Sequence, residues 1–199
     1  MIAILDVCSG NLRSVERALA HVGADVVVTH DPEVVARADK LVVPGQGAFG
    51  PFMRGITERR LEAPLRAAIA KGTPYLGICL GLQVLFEHSE EGDVAGLGVL
   101  RGRVTKLAPT DKTLKIPHMG WNQVAQKLPV PGLATDAYVY FVHSYRVEPA
   151  DPSVVALEAT HGVTFCAGVR RDNVLAVQFH PEKSQGVGLA LLRAFVEAA

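Results

Sequence analysis

A single cysteine between a short apolar run and a helix-like run, within residues 73–83, is the feature that most constrains the fold of this chain. Tyr75 to Ile78 read as a buried strand, and the apolar residues after Cys79 begin a helix. Residues 77–81 have the pattern G-x-C-x-G, the thiol version of the nucleophile elbow. A sharp strand-to-helix turn strains its central residue and crowds the neighbouring positions, which therefore require glycine. The motif predicts a reactive cysteine at the end of a sheet strand.

The helix after Cys79 is expected to direct its N–H groups and the positive end of its dipole at the sulfur, which favours the reactive thiolate. The alternative is a buried cysteine on a core strand, because free cysteine commonly packs that way. Short glycine motifs also occur by chance, so the elbow alone leaves both interpretations open.

Composition excludes several classes of protein. The 199 residues suffice for one domain with a substantial core, and the 20 basic and 20 acidic side chains balance, which argues against a nucleic-acid or membrane-surface binder. Three cysteines without C-x-x-C spacing argue against a disulfide framework and a zinc site, and fit a reducing cytosol. Neither a signal peptide nor a membrane span is expected. We therefore expect a cytoplasmic protein with one domain over residues 1–199.

The first half of the chain alternates apolar strands with helices. We expect a turn at residues 8–10, Asn11 as a helix N-cap, and Asp31-Pro32 at the start of another helix. Near-continuous apolar strands are typical of a parallel sheet covered on both faces. The predicted strands are 1–7, 26–28, 41–43 and 75–78, and the predicted helices are 11–22, a short one from 32, and 58–71.

The later part of the chain has the texture of mixed or antiparallel sheet. The sequence thus predicts an α/β fold with an open, largely parallel central sheet, helices on both faces, and a mixed or antiparallel extension. The predicted strands are 97–107, 121–126, 138–142, 153–160, 163–170 and 174–179, and a closing helix covers 187–198.

A glycine-rich stretch at residues 44–51 follows the third strand. Glycines let backbone N–H groups approach a ligand closely, and open α/β sheets bind ligands at the carboxyl ends of their strands. A flexible loop is the alternative interpretation.

The strand 174–179 ends in His180-Pro181-Glu182. A thiolate nucleophile needs a base, and the imidazole of that base needs an acceptor that fixes its tautomer. If this strand lies beside the elbow strand, His180 lies over Cys79 and Glu182 supports it. A surface turn is the alternative.

Three separated motifs together point to one family: P-G-Q-G at residues 44–47, G-I-C-L-G-L-Q at 77–83 and Q-F-H-P-E at 178–182. In combination they resemble the class I (triad) glutamine amidotransferases. The stretches I-P-H-M-G-W-N at 116–122 and Y-F-V-H-S-Y at 140–145 make the chain similar to the glutaminase subunits of imidazole glycerol phosphate synthase. The resemblance covers essentially the whole chain.

The resemblance implies a catalytic triad. Cys79 would attack the side-chain amide of L-glutamine, with His180 as the base and Glu182 orienting His180. The N–H groups of Leu80 and of Gly47, the latter after a peptide flip, would form the oxyanion hole. No metal or other cofactor is implied.

The resemblance also implies binding surfaces. Gln83 and the backbone near Ser144 and Tyr145 would hold the amino-acid end of glutamine. Ammonia would pass to a (β/α)₈-barrel cyclase subunit, and the isolated chain would be nearly silent until that partner is loaded. The interface residues implied are Met119, Trp121, Tyr140 and Lys183. From the residues alone, the apolar members of this set could equally be core packing, and Lys183 could equally be a solvated charge. We interpret His118 and His143 as structural residues or as residues near the interface.

Two departures from the family pattern and several rival functions stay open. Cys8 stands where the family usually has glycine, and Leu82 replaces a common methionine. The rivals are the glutaminase of anthranilate, aminodeoxychorismate or pyridoxal-phosphate synthase, a non-catalytic binding module, and a cysteine peptidase on the same fold. The stretch P-H-M-G-W-N at 117–122 disfavours the rival synthases, and the intact set of Cys79, His180 and Glu182 argues against the binding module.

Overall fold

The structure is a computed structural model that describes residues 1–7 and 12–198. The predicted turn at 8–10, the cap at Asn11 and the substitution at Cys8 lie outside the described residues. The strands are β1 (Ile2–Leu5), β2 (Val26–Thr29), β3 (Lys40–Gly45), β4 (Tyr75–Cys79), β5 (His88–Ser89), β6 (Val94–Ala95), β7 (Gly102–Lys106), β8 (His118–Gln123), β9 (Ala125–Gln126), β10 (Tyr138–His143), β11 (Tyr145–Pro149), β12 (Val155–Thr160), β13 (Thr164–Arg171) and β14 (Val174–Val177). The helices are α1 (Leu12–His21), α2 (Pro32–Arg37), α3 (Phe49–Glu58), α4 (Glu62–Lys71), α5 (Leu80–Gln83) and α6 (Gln185–Glu197).

The central sheet is parallel over five strands in the spatial order β2-β1-β3-β4-β14. Beyond β14 the strands β13, β11 and β7 pair antiparallel, and β5 and β6 continue this edge. In the register of the sheet, Gly45 lies opposite Cys79, and Ile78 lies opposite Val177. The carboxyl ends of β3, β4 and β14 therefore meet at one edge.

Two apolar cores cover the faces of this sheet because its parallel strands are apolar on both sides. In β1, Ala3 and Leu5 face α2, α3 and α4, whereas Ile2 and Ile4 face α1 and α6. The predicted α/β class with helices on both faces is confirmed. Among the described residues no helix has the length and apolar character needed to span a lipid bilayer.

The glycine-rich stretch is shorter than expected and leads into an unpredicted helix. Strand β3 runs to Gly45, and α3 starts at Phe49. Pro51 is tolerated there because the first-turn N–H groups of a helix have no intrahelical partner. The helix predicted over 58–71 corresponds to α4, which begins at Glu62 and stops before Gly72, whose φ of +96° is left-handed. Helix α3 lies ahead of it, in a segment for which no helix was predicted.

Other boundaries also differ from the sequence-based expectation. The helix after Cys79 is the single turn α5, and only Gly102–Lys106 of the predicted strand 97–107 is extended. Strand β11 and the short strands β5 and β6 were not predicted. The remaining predicted strands and the closing helix are present within a few residues of their expected bounds.

Candidate active site

Strand β4 ends in an elbow at Cys79. The φ of Cys79 is +56° with ψ of −104°, a strained conformation for a side chain with a Cβ. A Cβ on Gly77 would collide with the carbonyl of Gly81, and a Cβ on Gly81 would collide with the carbonyl of Val43. The buried Tyr75 hydroxyl donates to the Gly81 carbonyl at 2.8 Å. The backbone therefore has the geometry that the G-x-C-x-G motif predicts.

The helix that follows contributes less to this site than expected. Because α5 has only four residues, few peptide dipoles align toward the sulfur. The electrostatic environment of Cys79 must come mainly from neighbouring side chains.

His180 stands three residues beyond β14, which pairs in parallel with β4. Its Nδ1 lies 2.8 Å from Oε1 of Glu182, and both side chains are buried. The His180 N–H donates to the Tyr140 carbonyl at 2.9 Å, and the Ser184 hydroxyl donates to the His180 carbonyl at 2.7 Å. These bonds fix the histidine at the carboxyl edge of the sheet, where Cys79 also lies.

The surroundings of His180 favour its charged form. Burial alone lowers the pKa of His180, but the hydrogen bonds and negative charges of Cys79 and Glu182 outweigh it and raise the pKa to about 9. The imidazole is therefore protonated at neutral pH and can donate a proton within this cluster.

A pocket of about 240 Å³ opens above these side chains. The sequence-predicted residues Gly47, Leu80, Gln83, Ser144 and Tyr145 all line it, together with Cys79 and His180. The structure thus brings the predicted oxyanion and substrate residues to one cavity. The other lining residues are Gln46, Glu91, Pro117, Val142 and His143.

The glycines of β3 permit a close approach to the elbow. A Cβ on Gly45 would lie 2.6 Å from the Cβ of Leu80, so only glycine allows this contact. Gly47 has a φ of +91°, and no atom lies within 4 Å of the position of a Cβ there. The space beside its Cα is therefore open, and the left-handed φ is the reason that glycine is favoured there.

Two residues of the site were missed from the sequence. Glu91 lines the pocket, and its Oε2 accepts from the Phe49 N–H at 2.8 Å, which satisfies the start of α3. Gln178 is fully buried, and its Nε2 donates to the Cys79 sulfur at 3.5 Å. A polar residue at the end of an apolar strand was the available signal for Gln178, whereas Glu91 lies in an irregular segment without a motif.

Three of the four predicted interface residues, Met119, Trp121 and Tyr140, lie on the pair β8 and β10, and Lys183 lies in the turn that follows His180. Tyr140 and Lys183 are half-buried. Met119 and Trp121 are 62% and 48% exposed. Trp121 is the register partner of Tyr140, and their ring centroids lie 6.1 Å apart. The Lys183 Nζ lies 5.9 Å from the Tyr140 ring centroid, within reach of a cation–π contact. Tyr138, 58% exposed on the same strand, was not predicted.

His118 and His143 are buried on the opposite face of this pair of strands. Burial, together with the nearby histidines, lowers the pKa of His118 to about 3 and that of His143 to about 4. Over residues 1–7 and 12–198, no group of histidine, cysteine or carboxylate side chains has the arrangement of a metal site.

The fold and this site define a class of protein. Residues 3–199 match the family model described as "Glutamine amidotransferase class-I", so the chain belongs to the class I glutamine amidotransferases. Solved structures agree on the fold. One is titled "Crystal structure of glutamine amidotransferase" (TM-score 0.78, 23% identity, 98% of this chain and 97% of that one), and another is titled "Structure of PurLQS from Thermotoga maritima" (TM-score 0.75, 18% identity, 98% and 96%).

Curated relatives narrow the family. The chain is 52% identical to imidazole glycerol phosphate synthase subunit HisH of Syntrophotalea carbinolica, over 98% of each chain. It is also 52% identical to the subunit of the same name from Dechloromonas aromatica, over 98% of this chain and 95% of that one. Within its class, the chain belongs to the HisH family.

Proposed function

We propose that this chain is the glutaminase subunit of an imidazole glycerol phosphate synthase, and that Cys79, His180 and Glu182 hydrolyse L-glutamine to L-glutamate and ammonia. The observation that carries the proposal is the buried His180 imidazole, held by Glu182 at 2.8 Å, with its pKa raised by Cys79 and Glu182 in the same pocket. The HisH relatives favour this synthase over the rival synthases, the binding module and the peptidase.

The reaction follows from the charges of this cluster. The Cys79 thiolate attacks the amide carbon of glutamine, and the His180 imidazolium gives its proton to the departing nitrogen, which leaves as ammonia. Loss of ammonia leaves a glutamyl thioester on Cys79. The neutral imidazole then takes a proton from a water molecule as the oxygen of that water attacks the thioester carbon. Collapse of this second intermediate breaks the carbon–sulfur bond, releases glutamate and restores the thiolate and the imidazolium.

Each tetrahedral intermediate carries a negative oxygen that needs donors. The Leu80 N–H, directly after the nucleophile, is one donor. The Gly47 N–H is proposed as the other. The left-handed φ of Gly47 and the open space beside it support a peptide rotation there, since glycine occupies either sign of φ readily. Such a rotation would account for a chain that is nearly silent without its partner.

The amino-acid end of glutamine needs both charged and polar partners. The Glu91 carboxylate is proposed to face the substrate ammonium, because it is the acidic group of the pocket outside the proposed triad. Gln83 uses its Nε2 on Tyr145 and Gln178, which leaves Oε1 as the atom it presents to a ligand. Ser144 and Tyr145 line the same pocket, and their backbone is proposed to bind this end of the substrate.

The surface formed by Met119, Trp121, Tyr140 and Lys183 is proposed to bind the (β/α)₈-barrel cyclase subunit in the cytoplasm. Apolar and aromatic side chains with a flanking cation have the composition of an interface centre. A docked cyclase would receive ammonia before water protonates it, since ammonium is not a nucleophile.

The single domain over residues 1–199 remains a prediction.

The test is glutamine hydrolysis by the chain and by Cys79→Ala, each with and without the cyclase subunit in its nucleotide-bound form. Glutamate formation that rises strongly with the loaded cyclase and vanishes in Cys79→Ala supports the triad and the partner. Full activity without the cyclase would contradict the proposed peptide rotation at Gly47. Glutamine hydrolysis by Cys79→Ala would contradict the proposed role of Cys79 as the nucleophile.

A further inference from the structure

Gln178 is a buried polar residue beside the proposed nucleophile and has no part in the mechanism above. It follows β14 directly, its side chain has no exposed surface, and its N–H donates to the Ala167 carbonyl at 2.9 Å. Its Nε2 lies 3.5 Å from the Cys79 sulfur, and its Oε1 lies 3.0 Å from the Gln83 Nε2. Burying an amide is costly unless its groups are bonded, so both contacts matter to the fold.

One backbone carbonyl fixes the orientation of both side-chain amides. The Tyr145 carbonyl oxygen can only accept, so the Gln83 atom 3.2 Å from it is the NH₂ group. The second hydrogen of that NH₂ group points to Gln178, which must therefore present its carbonyl oxygen. The NH₂ group of Gln178 is then left facing the sulfur of Cys79.

We propose that Gln178 is a positioning residue that holds the sulfur of Cys79 in its ionised form and in line with the substrate. An N–H donor stabilises a thiolate more than a thiol, because the charged sulfur is the stronger acceptor. The sulfur is thus held by Gln178 and by His180. The chain Tyr145–Gln83–Gln178–Cys79 also connects the end of the pocket that binds the amino acid to the end that carries out the reaction.

This inference rests on the proposed role of Cys79 as the nucleophile. Glutamine at position 178 is favoured over an acid because a carboxylate would face the sulfur with a second negative charge. The ionisable side chains that line the same pocket, besides Cys79, are Glu91, His143, Tyr145 and His180.

The sharpest variant is Gln178→Glu, which keeps the shape of the side chain and an acceptor for Gln83 but replaces the donor with a negative charge. The measurement is the rate of alkylation of Cys79 by iodoacetamide across a range of pH, followed by mass spectrometry of the Cys79 peptide. We expect the rate at neutral pH to fall about tenfold, the size expected for a lost hydrogen bond to a charged group. The pH profile should move to higher pH, which a purely structural role would not cause.

Gln178→Met separates the lost donor from the added charge and should give a smaller fall in the same direction. The matched control is Gln126→Glu. The Gln126 amide also makes two internal bonds, to the Leu133 carbonyl and the Val130 N–H, but it lies away from the pocket. This control should alkylate at the wild-type rate. With the loaded cyclase, Gln178→Glu should lower kcat more than it changes KM.

If folded Gln178→Glu has the wild-type alkylation profile, the inference is overturned. If Gln178→Glu does not fold, a wild-type alkylation profile in Gln178→Met overturns it instead. Failure of the proposed function is seen separately, as glutamine hydrolysis by Cys79→Ala. The two failures are therefore distinguishable.

Discussion

The Nδ1 of His118 lies 2.9 Å from the Nε2 of His143, and this contact determines the tautomer of both buried rings. The His143 Nδ1 faces the Tyr145 carbonyl at 2.8 Å, so it carries the hydrogen and the His143 Nε2 is an acceptor. His118 then donates from Nδ1, and its Nε2 accepts from the Asn122 amide at 3.2 Å. Both rings are neutral, and an added proton would break this chain of bonds.

We predict that stability falls as the pH drops below about 6.5, the ordinary histidine pKa. The folded-state pKa values of His118 and His143, about 3 and about 4, lie below that of the unfolded chain, so the unfolded chain binds more protons in this range. The free energy of unfolding should fall by about 1 kcal/mol per pH unit for each histidine. Urea unfolding at several pH values measures this.

His180 does not oppose this trend below pH 6.5, because its pKa is raised to about 9 and its contribution is lost only as the pH rises toward 9. His118→Asn should reduce the slope, whereas His21→Asn, at an exposed position, should keep it. If the free energy of unfolding is the same at pH 7 and pH 5, His118 and His143 are not held neutral in the folded protein.

Alkylation of the native protein at neutral pH should modify Cys79 and spare Cys166. Burial raises the pKa of Cys166 to about 12, and its thiol donates to the Gly168 carbonyl at 3.4 Å. Cys79 opens into the pocket. Peptide mass mapping distinguishes the two, and denaturation should make both reactive. Equal modification in the native state would show that Cys166 is not buried as described.

Replacing Gly81 by alanine should destabilise the protein by about 1–3 kcal/mol or more. The new Cβ would collide with the Val43 carbonyl, so the backbone at one of these two positions must move. Gly186→Ala in α6 is the matched control, with open space around its Cβ. It should be neutral or slightly stabilising, since alanine favours a helix. Similar thermal unfolding of both variants would argue against the tight elbow.

Lys40→Met should lower the free energy of unfolding by about 1–3 kcal/mol. The Lys40 Nζ donates to the carbonyls of Phe195 and Val196 at 3.0 and 2.8 Å, and also to that of Ala198, where α6 has no internal donors. Chemical unfolding of Lys40→Met and of the exposed control Lys112→Met measures the difference. If the two variants are equally stable, the hydrogen bonds from Lys40 to the end of α6 contribute nothing to the free energy of unfolding.

Trp121→Ala should weaken binding of the cyclase subunit by about 2 kcal/mol, as expected for an exposed aromatic at an interface centre. Trp121 is the single tryptophan of the chain, so its fluorescence also reports docking when the partner lacks tryptophan. Calorimetric titration measures the affinity, with Lys112→Ala as a surface control. Unchanged affinity in Trp121→Ala would place the interface elsewhere.

The sequence was most informative where chemistry is encoded locally. The elbow at Cys79 and the pair His180 and Glu182 are short motifs at strand ends, so their type and place were predictable. Helix α3 was missed because Gly50 and Pro51 are typical of loops, and its start is completed by Glu91 from a distant segment. Such a bond depends on the fold and has no local signature.

The contacts of Gln83 in the pocket illustrate the same limit. Gln83 was predicted from the elbow motif, but its bonds to Tyr145 and Gln178 depend on pairing between strands far apart in sequence. The hydrogen-bond direction along this chain follows only from three-dimensional contacts. Sequence therefore predicted which residues surround the cysteine better than what each one does.

The two strands that carry the site, β4 and β14, are neighbours in the sheet but lie far apart along the chain, so they are synthesised at different times. Cys79 is made well before β14 (Val174–Val177), which supplies His180 and fills the next place in the sheet. A ribosome-bound chain that ends before β14 contains Cys79 but neither His180 nor the last strand of the parallel sheet. The triad proposed for glutamine hydrolysis is thus incomplete in the growing polypeptide until this long-range pairing is made.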